Sequence, residues 1–158
     1  MKENTCIFTG HRSIPSRKVK KIERELEIHI AALANQGITC FGSGGALGFD
    51  LMAADAVIAM RNKRPELKLI VFVPCRDQDK TWRESDRQHY RDVLARADEI
   101  IYVGESYTDG CMHARNRRMV ESASVCIAYL EKRTGGTAYT VNYAFGNGLK
   151  VYNLASGM

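Results

Sequence analysis

The sequence predicts an α/β fold, a mainly parallel sheet with helices on both faces, and three observations predict it. Short β-prone runs alternate with longer helical ones along the whole chain, the order that lays strands side by side with crossover helices between them. The strongest of the strand-like runs, Leu67 to Val73, is β-branched and apolar almost throughout, as strands covered on both faces are. Two glycine clusters, Gly42 to Gly48 and Gly135-Gly136, each fall between a strand-like run and a helical one. Together these describe a Rossmann-like three-layer sandwich. At 158 residues the chain is about one domain long, so residues 1–158 are read as a single domain.

In order, Thr5-Cys6-Ile7-Phe8-Thr9 is a strand that ends at Gly10-His11-Arg12. Pro15-Ser16 then opens a helix in which Val19, Ile22, Leu26, Ile30 and Leu33 recur at three- and four-residue spacing, with charged residues on the other sides. Gly37 is a helix stop, and Ile38 to Phe41 is the second strand, feeding the turn Gly42 to Gly48. Leu51 to Met60 is apolar and small-sided nearly all round, a helix pressed closely on the sheet. Leu67 to Val73 is halted by Pro74, and Lys80 to Arg96 reads as a loop followed by a helix with a thin apolar face. Asp98 to Gly104 is the fourth strand, Met112 to Val120 a helix with Met112, Arg115 and Met119 on one stripe, and Ser124 to Leu130 the fifth strand. A second glycine turn, Thr134 to Thr137, leads into a helix to Phe145 and a closing strand over Leu149 to Leu154.

Composition narrows the class. The chain is 45% hydrophobic and 26% charged, ordinary for a soluble globular protein. Its start, Met1-Lys2-Glu3-Asn4, has no apolar signal region, and no run approaches the roughly 20 apolar residues that span a bilayer, so a cytoplasmic location and no membrane partner are expected. Five cysteines without a Cys-x-x-Cys pair read as reduced core thiols. The net charge of +5 suits anionic partners, but the basic residues are spread along the chain, which favours phosphate-sized ligands over nucleic acid. His89 and His113 have no metal-ligand spacing, and neither metal nor cofactor is expected.

Ligands of open parallel sheets bind beyond the carboxyl ends of the strands. There the sequence collects Gly10, His11 and Arg12; the turn with Gly44, Gly45, Ala46, Gly48 and Asp50; Pro74 and Arg76; Arg115; and Gly135, Gly136 and Thr137. Glycines bare the backbone to an anion, and the first N–H groups of a following helix point outward with partial positive charge. Two such turns with arginines between them suit a phosphorylated, nucleotide-like small molecule. The layout is not that of an ordinary NAD site, because the glycines follow the second strand and the next strand ends in Pro74-Cys75-Arg76 rather than an acid for the ribose. Nor is it a P-loop, since no Gly-Lys-Ser/Thr follows. Trp82 and Tyr107 are aromatics able to stack on a base, although a lone tryptophan ahead of a helix is expected on the core. Arg12→Ala and Gly45→Val are expected to remove binding and leave the fold intact.

Thr9-Gly10-His11-Arg12, the segment from Gly44 to Ala54, and Gly136-Thr137-Ala138 resemble the SLOG superfamily, especially its small bacterial YpsA/YspA-type branch. The superfamily also holds the Lonely Guy phosphoribohydrolases and the DNA-processing protein DprA. The resemblance implies a Rossmann-like fold and a nucleotide or nucleotide derivative bound and sensed at the strand ends, with a homodimer expected by analogy. Met112-His113-Ala114-Arg115 resembles the Met-His-Glu-Arg of Lonely Guy enzymes, whose arginine serves the ribose-phosphate site, and Gly135-Gly136-Thr137 partly resembles their phosphate loop. Their catalytic glutamate falls where this chain has Thr140, and a hydroxyl cannot replace a carboxylate at an opening glycosidic bond. A nucleoside-monophosphate hydrolase is therefore the alternative reading, with Asp50 as the substitute carboxylate and Arg115 beside it.

Overall fold

A computed structural model describes residues 2–155. The elements run β1 Thr5–Gly10, α1 Val19–Asn35, β2 Cys40–Ser43, α2 Phe49–Arg61, β3 Lys68–Val73, α3 Glu84–Arg96, β4 Glu99–Tyr102, α4 Cys111–Glu121, β5 Val125–Tyr129, α5 Gly136–Gly146 and β6 Lys150–Asn153. The sheet order is β4-β3-β2-β1-β5-β6, with every neighbouring pair parallel. The chain lays strands outward from β1 to β4, then α4 carries it back to the other side of β1. That reversal puts a topological switch point between β1 and β5, the place where the loops at the strand ends part and open a crevice.

Alternation along β1 shows why there are two cores. Cys6 and Phe8 point to the layer that holds Ile22, Leu26, Ile30 and Leu33 of α1, Val57 of α2 and Tyr90 and Val93 of α3. Ile7 points to the opposite layer, with Met119 and Val120 of α4 and Val141 and Ala144 of α5. A strand turns successive side chains to opposite faces, so a sheet covered on both sides needs apolar residues at every position. The α1 repeat buries one apolar side chain per turn, each contributing about 1.5–3 kcal/mol. The helix stops as expected: the Ile38 N–H bonds the Leu33 carbonyl at 3.0 Å and the Gly37 N–H bonds that of Ala34 at 3.1 Å, a Schellman closure with Ile38 folded back onto the core. The same pair of bonds, from Leu149 to Ala144 and Gly148 to Phe145, ends α5.

Several boundaries differ from the sequence expectation, two of them beside the first glycine turn. β2 continues through Gly42 and Ser43, which stay in register with Ile70 and Val71 of β3, because the Phe72 ring fills the space a side chain at position 42 would need. The helix after the turn starts at Phe49 rather than Leu51. Cys6, Cys75, Cys111 and Cys126 are buried free thiols, and Cys40 is half-buried. Trp82 is half-buried with its ring 5.1 Å from that of Tyr90. No helix among the described residues is long and apolar enough to cross a membrane.

Candidate functional site

At the switch point a cleft of about 390 Å³ is lined by Gly10, His11, Arg12, Ala46, Asp50, Arg115, Gly135, Gly136 and Thr137. Residues from four separate stretches of sequence thus meet, as the strand-end argument expects. Thr9, Met112, Asn116, Lys132 and Thr134 complete the lining. Lys132 carried a readable signal, since it follows the fifth strand as Arg12 follows the first. Asn116 carried none, being one polar residue in a polar helix.

The first glycine turn is the wall of this cleft more than its cradle. Some N–H groups in and just after it are engaged within the protein: Gly45 to Ser43 Oγ at 3.1 Å, Phe49 to the His11 carbonyl at 3.1 Å and Leu51 to the Ala46 carbonyl at 3.2 Å. The Ala46 N–H favours the charged Asp50 carboxylate and pulls its pKa down. Two glycines are required by what comes close. A Cβ on Gly44 would lie 2.6 Å from Arg115 Nη1 and 2.9 Å from Asp50 Oδ2, and one on Gly48, at φ 84°, would overlap the Arg12 carbonyl. Gly45, at φ 67° with Tyr90 and Val71 against it, corrects one expectation: valine there strains the backbone, so Gly45→Val damages the fold as well as any site.

Arg115, expected to be partly inward-facing, is only 3% exposed. Its Nη1 donates to the Gly44 carbonyl at 2.5 Å, the Phe72 carbonyl at 3.3 Å and Gln78 Oε1 at 3.4 Å, and its Nε donates to Asn116 Oδ1 at 2.7 Å. Burial pulls its pKa down, while Asp50 pushes it up. Asp50 is 7% exposed, and burial raises its carboxyl to about 6 against the opposing pull of Arg115, the Ala46 N–H and Arg12. Charge attraction therefore recovers only part of the desolvation of this carboxylate. A carboxyl that titrates near neutrality in a cleft can take up or release a proton there.

His11 holds the turn. Its Nε2 accepts the Glu131 N–H at 2.8 Å and its ring meets that of Tyr129 edge-on, tying the end of β1 to the end of β5. Burial lowers its pKa, in keeping with a neutral ring whose Nε2 is an acceptor. Arg12 and Lys132 are exposed and enter no ion pair among the described residues. At the start of α5, Gly135 supplies no side-chain cap, and the N–H groups of Gly136, Thr137 and Ala138 find no acceptor among the described residues. That helix end leaves three successive donors open, whereas at the start of α2 the Phe49 and Leu51 N–H groups are engaged. Pro74 and Arg76 fall outside the cleft: Pro74 is buried, and Arg76 is paired with Glu105 at 2.8 Å and lies 3.9 Å over the Tyr102 ring. Thr140 donates its hydroxyl to the Gly136 carbonyl at 2.9 Å, so it is committed to its own helix.

The sequence pattern described as the YspA SLOG family matches residues 6–150. The chain belongs to the YspA SLOG family. Across 131 residues this SLOG chain is 30% identical to the UPF0398 protein BH1768 of Halalkalibacterium halodurans, covering 81% of this chain and 69% of that one. Its fold is similar to that of DprA from Streptococcus pneumoniae, with a TM-score of 0.70 at 19% identity over 96% of this chain and 50% of the other. It is also similar to DprA from Helicobacter pylori, whose structure concerns its single-stranded DNA binding mode, with a TM-score of 0.65 at 19% identity over 95% and 64%. The SLOG chain thus spans about half the length of the pneumococcal protein.

Proposed function

We propose that the switch-point cleft binds a nucleotide or nucleotide derivative by its phosphate, and that the domain serves to sense it. The observation that carries this is the uncommitted first turn of α5 opening on a cleft that also holds the unpaired cations Arg12 and Lys132. Open N–H groups at a helix start, with a guanidinium fork opposite, are what a phosphate dianion needs. Family membership supports the reading, because the match includes all of these residues.

The test is thermal unfolding with mono-, di- and cyclic nucleotides at millimolar concentration. A ligand at a hundred times its Kd adds about 2.7 kcal/mol to stability, a rise of roughly 5–10 °C for a domain of this size. Arg12→Ala and Lys132→Ala should each remove most of the shift without lowering the melting temperature of the free protein. Unchanged shifts in both variants would place the site elsewhere, and no shift with any nucleotide would end the reading. Because one structure of this fold concerns single-stranded DNA binding, the expectation against nucleic acid is not carried forward, and the panel includes a single-stranded oligonucleotide.

A second reading, hydrolysis of the N-glycosidic bond of a nucleoside monophosphate, is favoured by one observation. Asp50 titrates at about 6, where a carboxylate serves as a general base at neutral pH, with Arg115 beside it to hold its charge. Thr140 supplies no carboxylate of its own. This reading requires free base to accumulate from a nucleoside monophosphate, and Asp50→Asn to slow its release.

A further inference from the structure

We propose that Asp50 receives the sugar of the bound nucleotide, accepting a vicinal pair of hydroxyls, so that the cleft selects ribose over 2′-deoxyribose; this rests on the nucleotide reading above. The lining of the cleft is one-sided. Arg12, Lys132 and the first N–H groups of α5 donate, and Asp50 is the one carboxylate among the lining residues. It is only 7% exposed, and among the described residues no side chain donates to its carboxylate. Ser43 Oγ donates to the main-chain carbonyl of Asp50 instead, at 2.8 Å. Arg115 stands with the carboxylate against Gly44, yet its Nη1 and Nε donate to Gly44, Phe72, Gln78 and Asn116, and its Nη2 to Met112 Sδ at 3.7 Å. Nor is the carboxylate one of the enclosed polar atoms without a partner, which among the described residues are Asn4 Oδ1, Asp77 Oδ1 and Arg87 Nε. Its free lone pairs therefore look onto the cleft that it lines.

A deeply set acceptor left unmade is unfavourable until a donor arrives. A carboxylate only accepts, so the group it takes from a ligand must donate. It also repels phosphate, which fixes the polarity of the ligand: the phosphate lies toward α5, Arg12 and Lys132, and the donors toward Asp50. In a nucleoside 5′-phosphate the donors attached nearest the phosphate are the ribose hydroxyls, and those of the base lie beyond the sugar. Two vicinal hydroxyls present two O–H groups to the two oxygens of one carboxylate, and a 2′-deoxy sugar presents one. The place of an acid in the fold agrees with this. An NAD site takes its ribose acid from the end of the strand after the glycine turn, where this chain has Pro74-Cys75-Arg76, with Arg76 drawn away to Glu105. Asp50, in the first turn of α2, puts a carboxylate into the cleft by another route. At about 390 Å³ the cleft is of a size that encloses a small ligand.

Calorimetric titration in EDTA tests this, comparing the 5′-monophosphates of adenosine, guanosine, cytidine and uridine, each with its 2′-deoxy counterpart, on the wild type, Asp50→Ala and Asp50→Asn. The ribonucleotide that binds is expected to do so at least about tenfold more tightly than its 2′-deoxy counterpart, the effect of one hydrogen bond to a charged group. In Asp50→Ala the two are expected to bind alike, with the loss on the ribonucleotide. Asp50→Asn keeps one accepting oxygen and is expected to fall between. A ribonucleotide and its 2′-deoxy counterpart that bind the wild type alike would overturn the ribose assignment and leave the phosphate cleft standing. Equal weakening of both in the two variants would give Asp50 a structural part only and overturn the assignment as well. A single-stranded DNA oligonucleotide that binds as tightly as the best ribonucleotide would do the same, since its sugars lack the second hydroxyl. Binding of no nucleotide at all overturns both readings.

Discussion

Asp50→Asn is expected to raise the free energy of unfolding by about 3 kcal/mol at pH 8 and to leave it nearly unchanged at pH 4. In the native state burial lifts the Asp50 carboxyl from 3.8 to about 6. Between those two values the native protein holds a proton that the unfolded chain has released. Stability is therefore greatest below about pH 4, falls as pH rises toward 6, and stays reduced above it. Asparagine is a neutral stand-in for the protonated acid, so it removes the dependence and keeps the low-pH stability. Urea unfolding of both proteins across pH 4 to 8 measures this. Parallel curves would mean that the carboxylate is not held in the desolvated state described, and a less stable variant at pH 8 would mean that its attraction to Arg115 outweighs its burial. A stabilising substitution in the middle of a cleft is what a site shaped for a ligand rather than for stability produces.

Arg115→Met is expected to act in the other direction, lowering the unfolding free energy by about 3–5 kcal/mol at pH 8. Methionine replaces the buried stem of the side chain and none of its donors. The carbonyls of Gly44 and Phe72 and the amide oxygens of Gln78 and Asn116 all lose a guanidinium bond, and a buried polar group stripped of its partner costs about 1–3 kcal/mol. Asp50 loses the cation that most lowers its pKa, so its titration moves above 6. The two sites are coupled as neighbours are: Asp50→Asn should recover more stability in the Arg115→Met background than in the wild type. Equal gains in both backgrounds would show that the guanidinium holds the glycine turn alone and does nothing for the carboxylate.

Much of the fold was legible because its signals are local. The four-three spacing from Ile22 to Leu33 makes a helix wherever it is placed, Gly37 ends a helix at the position the sequence marks, and the β-branched run ahead of Pro74 is a strand in any register. Boundaries were less legible where packing across the sheet decides them. β2 extends to Ser43 because β3 pairs with it and Phe72 covers Gly42, and nothing within residues 38–43 says so.

For the cleft, the sequence by itself determined which kinds of residue would gather: glycines, a histidine and arginines beyond the carboxyl ends of strands, because alternating strands and helices place those ends on one edge. Only the tertiary structure decided what each would do. The turn from Gly44 to Asp50 reads as an anion cradle in isolation, but once Arg115 is folded against Gly44 and the Phe49 N–H donates to the His11 carbonyl, its glycines also serve as spacers for close approach. Three successive open donors lie at Gly136, Thr137 and Ala138, at the start of α5. Arg76, equally placed in sequence, is drawn away to Glu105 and Tyr102. The reason is that hydrogen bonds and ion pairs are made with whichever partner the fold brings within about 3 Å, and that partner is commonly dozens of residues away along the chain.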